Sequence, residues 1–434
     1  MAEPDIRSQP ARLGFLRGNV LVFMITRVLG QFGRNMAFPY ASLYVLALGG
    51  KPEHVGLVNS ITPLAGLIVL PIAGYFADIR GRVRLIALAM AYSGFLNILQ
   101  ALAPTWQILA WNALFQGFLV VQFPASSALM ADSLAPEDRV RGIATVNGIA
   151  GGIGLIAPYL AGAIVTRLGA EMGMRLLYGA LALFNLVSAA ISWRFLQETT
   201  PPQPSRMDWK RLGQLVRSAY VEIPGLLKNL SPSLRALGGI SALSFVANAL
   251  AGPFWVVYAI ERVGLTAEQW GLILLIETAL LNLAYIPAAA WIDRLGRART
   301  LHLALIVITA LTPLFVLARG FWPILLIRMA FALGNAFFMP ACLALMADST
   351  PREIRGRVMG AIGNGTVMLG ATMGGTGGPG LGFLIIPPLM AASLVSGLLY
   401  VQNAALPWFA ATMALMLAIF LALRFVRDPH HPEI

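Results

Sequence analysis

Charge is scarce in this chain. Only 12% of its 434 residues are charged, whereas 58% are hydrophobic, and the mean hydropathy is +0.75. A soluble domain carries about 25% charged residues, and no single core could hide so much apolar surface. A soluble enzyme or binding module is therefore excluded. Cysteine is almost absent as well. Cys342 stands alone, so no internal disulfide and no cysteine-based metal site can form. The four histidines, His54, His302, His430 and His431, lack the spacing that puts ligands on one helix face, so no metal is expected. Lysine occurs only as Lys51, Lys210 and Lys228, none within Gly-x-x-x-x-Gly-Lys-Ser/Thr, which excludes an ATP-driven pump. Gly152-Ile153-Gly154-Leu155-Ile156-Ala157 fits a dinucleotide pattern, but it lies inside an apolar run with no strand before it. It reads as helix packing, and no cofactor is expected.

What is present is a series of long apolar blocks. They fall near 20–48, 55–77, 85–103, 106–131, 142–166 and 176–193, and again near 236–260, 270–292, 300–318, 322–347, 357–388 and 394–426. Each is long enough to cross a hydrocarbon layer of about 30 Å as a helix. The chain is expected to be an all-α membrane protein of twelve spans.

The net charge of +12 sits at the ends of these blocks, not on one continuous face, so no nucleic-acid partner is expected. Counting Lys and Arg in alternate loops sets the orientation. With both termini in the cytoplasm, 23 basic residues lie on that side. Lys51, Arg167, Arg175, Arg262 and Arg319 lie outside, and Arg27, Arg34 and Arg328 lie within spans. Residues 1–17 contain Arg7, Arg12 and Arg17 but no small-residue cleavage site, so no signal peptide is read. The expected organisation is a cytoplasmic N-terminus (1–19), a six-helix bundle (20–196), a cytoplasmic linker (197–233), a second bundle (234–426) and a cytoplasmic tail (427–434). Within the linker, Trp209, Leu212, Val216, Ala219 and Ile223 share one helical face, with Lys210, Arg211 and Arg217 elsewhere. That pattern predicts a basic amphipathic helix on the inner leaflet of the plasma or inner membrane.

The two halves repeat. Leu129-Met130-Ala131-Asp132-Ser133 recurs as Leu345-Met346-Ala347-Asp348-Ser349, and Pro124 recurs as Pro340. Asp78-Ile79-Arg80-Gly81-Arg82 corresponds to Asp293-Arg294-Leu295-Gly296-Arg297. Pro39 and Tyr44 correspond to Pro253 and Tyr258. Six spans per repeat insert the same way up, so the halves should be related by an axis along the membrane normal.

Gly74, Asp78, Gly81 and Arg82 form a loop that resembles the signature between spans two and three of the major facilitator superfamily, Gly-x-x-x-Asp-Arg-x-Gly-Arg-Arg/Lys. Ile79 replaces its first Arg and Val83 its last basic residue. The second copy keeps Asp293, Arg294, Gly296 and Arg297 but has Ala289 for the leading Gly. An Asp beside Arg at a span end offers charge-assisted hydrogen bonds, and Asp132 and Asp348 can accept from Arg82 and Arg297. The resemblance implies that these clusters latch the cytoplasmic side.

Ionisable groups at membrane depth cost at least about 2.5–3.5 kcal/mol each. Arg27, Gln31 and Arg34 share a face of the first span; Ser241, Ser244, Asn248 and Trp255 form a stripe on the seventh. The tenth carries Arg328 and Asn335, the fourth Asn112 and Gln116, and the eighth Glu277. In the family that this chain resembles, spans one, four, seven and ten line the cavity. The resemblance therefore implies that Gln31, Arg34, Asn112, Gln116, Asn248, Trp255, Glu277, Arg328 and Asn335 face a small-molecule substrate. Glu277 either carries a coupling proton or serves as counter-ion to Arg34 or Arg328. Gly370, Gly374, Gly378 and Gly382 recur every four residues and predict a close helix contact, bent at Pro379.

The expected function is secondary transport of a small organic solute by alternating access, with efflux coupled to protons favoured. An organic-anion carrier using the intramembrane arginines stays open, and more remotely a non-transporting sensor or a lipid enzyme. Catalytic residues are not expected, and a monomer in the bilayer is the expected state.

Overall fold

The computed structural model describes residues 14–69, 72, 81–200, 230–351, 354–371 and 381–428, with isolated linker positions 213, 214, 217, 220, 221, 225 and 228. Gly74, Asp78, Trp209, Lys210, Arg211, Leu212, Val216, Ala219, Ile223, Gly374, Gly378 and Pro379 lie outside the described residues. Every regular element among the described residues is helical. Ten of these helices are long and apolar enough to cross a membrane. The first span carries Arg27 and Arg34, and the second begins as Pro52–Ile61 and is helical again over 64–69.

The internal repeat is built into the helices. The first span is Asn19–Ala37 and Ala41–Ala47, joined by a 3-10 turn at Phe38–Tyr40. The seventh is Pro232–Ala251 and Trp255–Glu261, joined at Gly252–Phe254. Pro39 and Pro253 cause both breaks, because proline lacks an N–H and crowds the preceding turn. Beyond each break a tyrosine pins the short helix. Tyr44 Oη donates to Gln100 O at 2.8 Å, near the end of the third span (Arg82–Ala101). Tyr258 Oη donates to Val316 O at 2.9 Å, near the end of the ninth (Arg297–Leu317).

The fourth span is Trp106–Gln116 and Gln122–Asp132, the fifth Arg139–Gly154 and Ala157–Leu168, and the sixth Ala170–Phe195. The eighth is Ala267–Leu295 and the tenth Phe321–Asp348.

The last two spans differ from the sequence-based expectation. The eleventh begins at Arg355–Ile362, loses its helix over 363–371, and resumes as Ile386–Gln402. The twelfth is Leu406–Phe425. The turn between them therefore falls at residues 403–405, inside the block expected to be one span at 394–426. The expected glycine ladder is corrected too. Gly370 has φ +75, a left-handed conformation open to glycine, and Gly382 is extended, so neither sits in a helix.

The halves meet mainly at the end of the molecule opposite the basic loops. There the fifth span packs on the eighth and the second on the eleventh. Glycines let the backbones touch. A Cβ at Gly162 would lie 2.3 Å from Ala267 O, and one at Gly271 2.4 Å from Pro158 O. A Cβ at Gly56 would lie 2.5 Å from Ser393 O, and one at Gly397 2.7 Å from Pro52 O. Polar contacts finish the seam. Tyr40 Oη donates to Pro158 O at 2.7 Å and lies 3.2 Å from Ala267 O. Tyr159 Oη donates to Glu268 Oε1 at 3.1 Å. Nearer the basic loops, the linker residue Tyr220 donates to Leu67 O at 2.6 Å and sets its ring edge-on to Phe383, 5.2 Å away. One linker side chain thus wedges between the second and eleventh spans.

Candidate functional site

Four polar side chains of the second half converge on the broken part of the eleventh span. Arg328 Nε donates to Glu277 Oε2 at 2.9 Å, and Nη2 to Oε1 at 2.8 Å, a bidentate pair linking the tenth and eighth spans. Its third nitrogen, Nη1, donates to Gly370 O at 2.7 Å. Both side chains are 1% exposed. The guanidinium also lies 4.8 Å from the Trp255 ring, 5.8 Å from Trp270 and 5.7 Å from Phe331, within cation–π range. Glu277 is thus the counter-ion of Arg328 and does not pair with Arg34.

Two asparagines hold the same segment. Asn335 Nδ2 donates to Leu369 O at 2.8 Å, and its Oδ1 accepts from Leu369 N at 2.8 Å. Asn248 Nδ2 donates to Met368 O at 2.7 Å, and its Oδ1 accepts from Gly370 N at 2.9 Å. Non-helical backbone is tolerated at membrane depth only where its polar groups find partners in the protein. The two amides and the guanidinium supply them. Asn248, Trp255, Glu277, Arg328 and Asn335 are all buried in this clamp.

The first half is arranged differently. Asn112 Nδ2 donates to Leu96 O at 2.7 Å, and Gln116 Nε2 to Gln100 Oε1 at 2.9 Å, tying the fourth span to the third. On the first span, Gln31 Nε2 donates to Asn35 Oδ1 at 3.0 Å, and Asn35 Nδ2 to Gly154 O at 3.1 Å. Arg34 is half-buried and, among the described residues, reaches only Gln31 Oε1, at a long 3.4 Å. Its guanidinium folds back over Gly30, where a Cβ would lie 3.1 Å from Nη1. Arg27 is exposed.

At the basic face, Arg82 pairs with Asp132 and Arg297 with Asp348. Each pair joins helices of the same half. Gly81 and Gly296 precede these arginines with φ +81 and +86, which explains the glycine in both copies of the loop. Asp293 and Arg294 are exposed. Two further acids were not singled out from the sequence. Glu198 Oε1 accepts from Val83 N at 2.8 Å, and Asp428 Oδ1 accepts from Ala298 N at 2.9 Å. Each lies four residues after Arg194 or Arg424, a repeated pair at the ends of the sixth and twelfth spans that could have flagged them. Among the described residues no cluster of His, Cys, Asp and Glu is placed to hold a metal ion.

Two pseudo-symmetric six-helix bundles, each with a kinked first helix and meeting along paired seams, define a multi-pass membrane transporter. The chain belongs to the Major Facilitator Superfamily, whose family model matches residues 23–231 and 237–434. It is 24% identical over 363 residues to the class G tetracycline resistance protein of Vibrio anguillarum, covering 80% of this chain and 86% of that protein. It is 26% identical over 347 residues to the multidrug resistance protein MdtG of Salmonella typhimurium, covering 76% and 81%. Among solved structures, the nucleoside transporter NupG superposes with a TM-score of 0.69 over 94% of this chain and 100% of its own, at 14% identity.

Proposed function

We propose that this protein exports small organic molecules across the cell membrane by alternating access, driven by protons. The seam between the halves carries this reading: it gathers at one end, opposite the basic loops. The excess of Lys and Arg argues that the basic face is cytoplasmic, with both termini on that side. The arrangement is then an inward-facing one, ready to take cargo from the cytoplasm or the inner leaflet. The resistance proteins among its relatives support drug-like cargo.

In this reading Glu277 is the proton carrier, and taking up a proton loosens its hold on Arg328. Release of Arg328 also frees the Gly370 carbonyl, which couples protonation to the broken span. Asp132 and Asp348, paired within their halves, stiffen the basic face while it is open. Gly74, Asp78, Gly81, Arg82, Asp293, Arg294, Gly296 and Arg297 complete that gate, and the transporter works as a monomer.

The test is accumulation of a fluorescent lipophilic probe in cells with and without the protein, before and after a protonophore. Lower accumulation that the protonophore abolishes supports the proposal. Equal accumulation in both strains across a panel of probes sinks it.

A further inference from the structure

We infer that the wall formed by the first span selects cargo carrying an acidic group, with Arg34 as its anchor. The inference rests on the exporter reading and adds a substrate class to it.

Among the described residues, the Arg, Lys, Asp and Glu side chains deep within the spans are Arg27, Arg34, Glu277 and Arg328. The last two neutralise each other in a bidentate pair with both carboxylate oxygens engaged. No carboxylate therefore remains for the first span, where Arg27 and Arg34 have no ion pair among the described residues. A guanidinium has five N–H donors. Arg34 uses one of them, and that bond is long. The neighbouring amides give it little more, because Asn35 Oδ1 already accepts from Gln31 Nε2 and Asn35 Nδ2 is turned to Gly154 O.

A charged side chain left open at membrane depth faces a water-filled cavity and not lipid. Arg27 lies two turns nearer the basic face than Arg34 on the same stripe of the helix, and it is exposed. Gly30 leaves room for the half-buried Arg34 guanidinium to lie along the helix. Two uncompensated positive charges therefore line the path inward, one near the mouth and one near the midplane. A planar guanidinium matches a carboxylate in a two-bond fork, which a lysine ammonium does not. The opposite wall adds no net charge. The complementary cargo is a small organic anion, best a carboxylic acid.

The full-length protein, reconstituted in vesicles, is assayed with carboxyfluorescein as the anionic probe and ethidium as the cationic one. Binding of each to detergent-purified protein is read in parallel as a rise in melting temperature. Wild type is expected to bind and move carboxyfluorescein. Arg34→Gln should lower both by about tenfold or more, as loss of a charged hydrogen bond implies. Arg34→Lys should keep part of the affinity, and Arg27→Gln should slow transport while largely keeping binding. If Arg34→Gln does not fold, Arg27→Gln and the wild-type preference decide, since an exposed side chain is easily replaced. Transport of ethidium with no binding of carboxyfluorescein overturns this inference and leaves the exporter reading intact. Arg34-dependent binding of carboxyfluorescein without transport of either probe overturns the exporter reading and keeps the anion site. Anion binding unchanged in Arg34→Gln also overturns the inference.

Discussion

Glu198 accepts a hydrogen bond from the backbone N–H of Val83, across 115 residues of sequence. Asp428 does the same for Ala298 in the other half. Each carboxylate meets the positive end of a helix and satisfies an N–H that the helix cannot pair itself. Glu198→Ala and Asp428→Ala should each cost about 0.5–2 kcal/mol. Glu198→Gln, which keeps an acceptor without the charge, should cost less. Melting temperatures in detergent check the order.

The buried ion pair gives a sharper forecast. Removing one partner of such a pair costs about 3–5 kcal/mol because the other charge is left uncompensated. Glu277→Ala should therefore be more damaging to folding than the double replacement Glu277→Gln with Arg328→Met. Thermal unfolding of the three proteins decides it, and equal melting temperatures would deny the pair this role.

The asparagine clamp predicts a local effect. Asn335→Leu leaves both backbone groups of Leu369 unpaired, at a cost of about 1–3 kcal/mol for each. Amide hydrogen exchange should accelerate across 363–371 before it changes in the ninth or twelfth span. Uniform acceleration everywhere would count against a local clamp.

At the seam, Gly162→Ala places a methyl 2.3 Å from Ala267 O, closer than real contacts allow. The halves should part at that end. A cysteine replacing buried Ser393, in a chain with Cys342→Ala, should react with an impermeant maleimide faster when Gly162→Ala is also present. No change in labelling would show that the seam bends without opening.

Much of this was legible in the sequence because it repeats. Pro39 and Pro253, Tyr44 and Tyr258, and Gly81 and Gly296 occupy matching places in the two halves. The eleventh span was not legible. No Asp, Glu, Lys or Arg occurs between Arg357 and Arg424, so hydropathy has no marker for the turn at 403–405. The break at 363–371 is likewise hidden, because what permits it lies on other helices at Asn248, Arg328 and Asn335. The Glu277 partner was open for a related reason: composition reveals an acid among arginines, and only the fold says which is within reach.

The glycine contacts along the seam have an energetic consequence. Backbone laid against backbone has no rotamers to freeze on closing or to release on parting, so little side-chain entropy separates the two arrangements. Only a few side chains, Tyr40, Tyr159 and Tyr220 among them, have to be withdrawn. The balance between sealed and parted halves is then left to small differences in how each arrangement holds cargo, and a ligand shifts such an equilibrium by no more than its differential affinity. A modest preference suffices to turn it over.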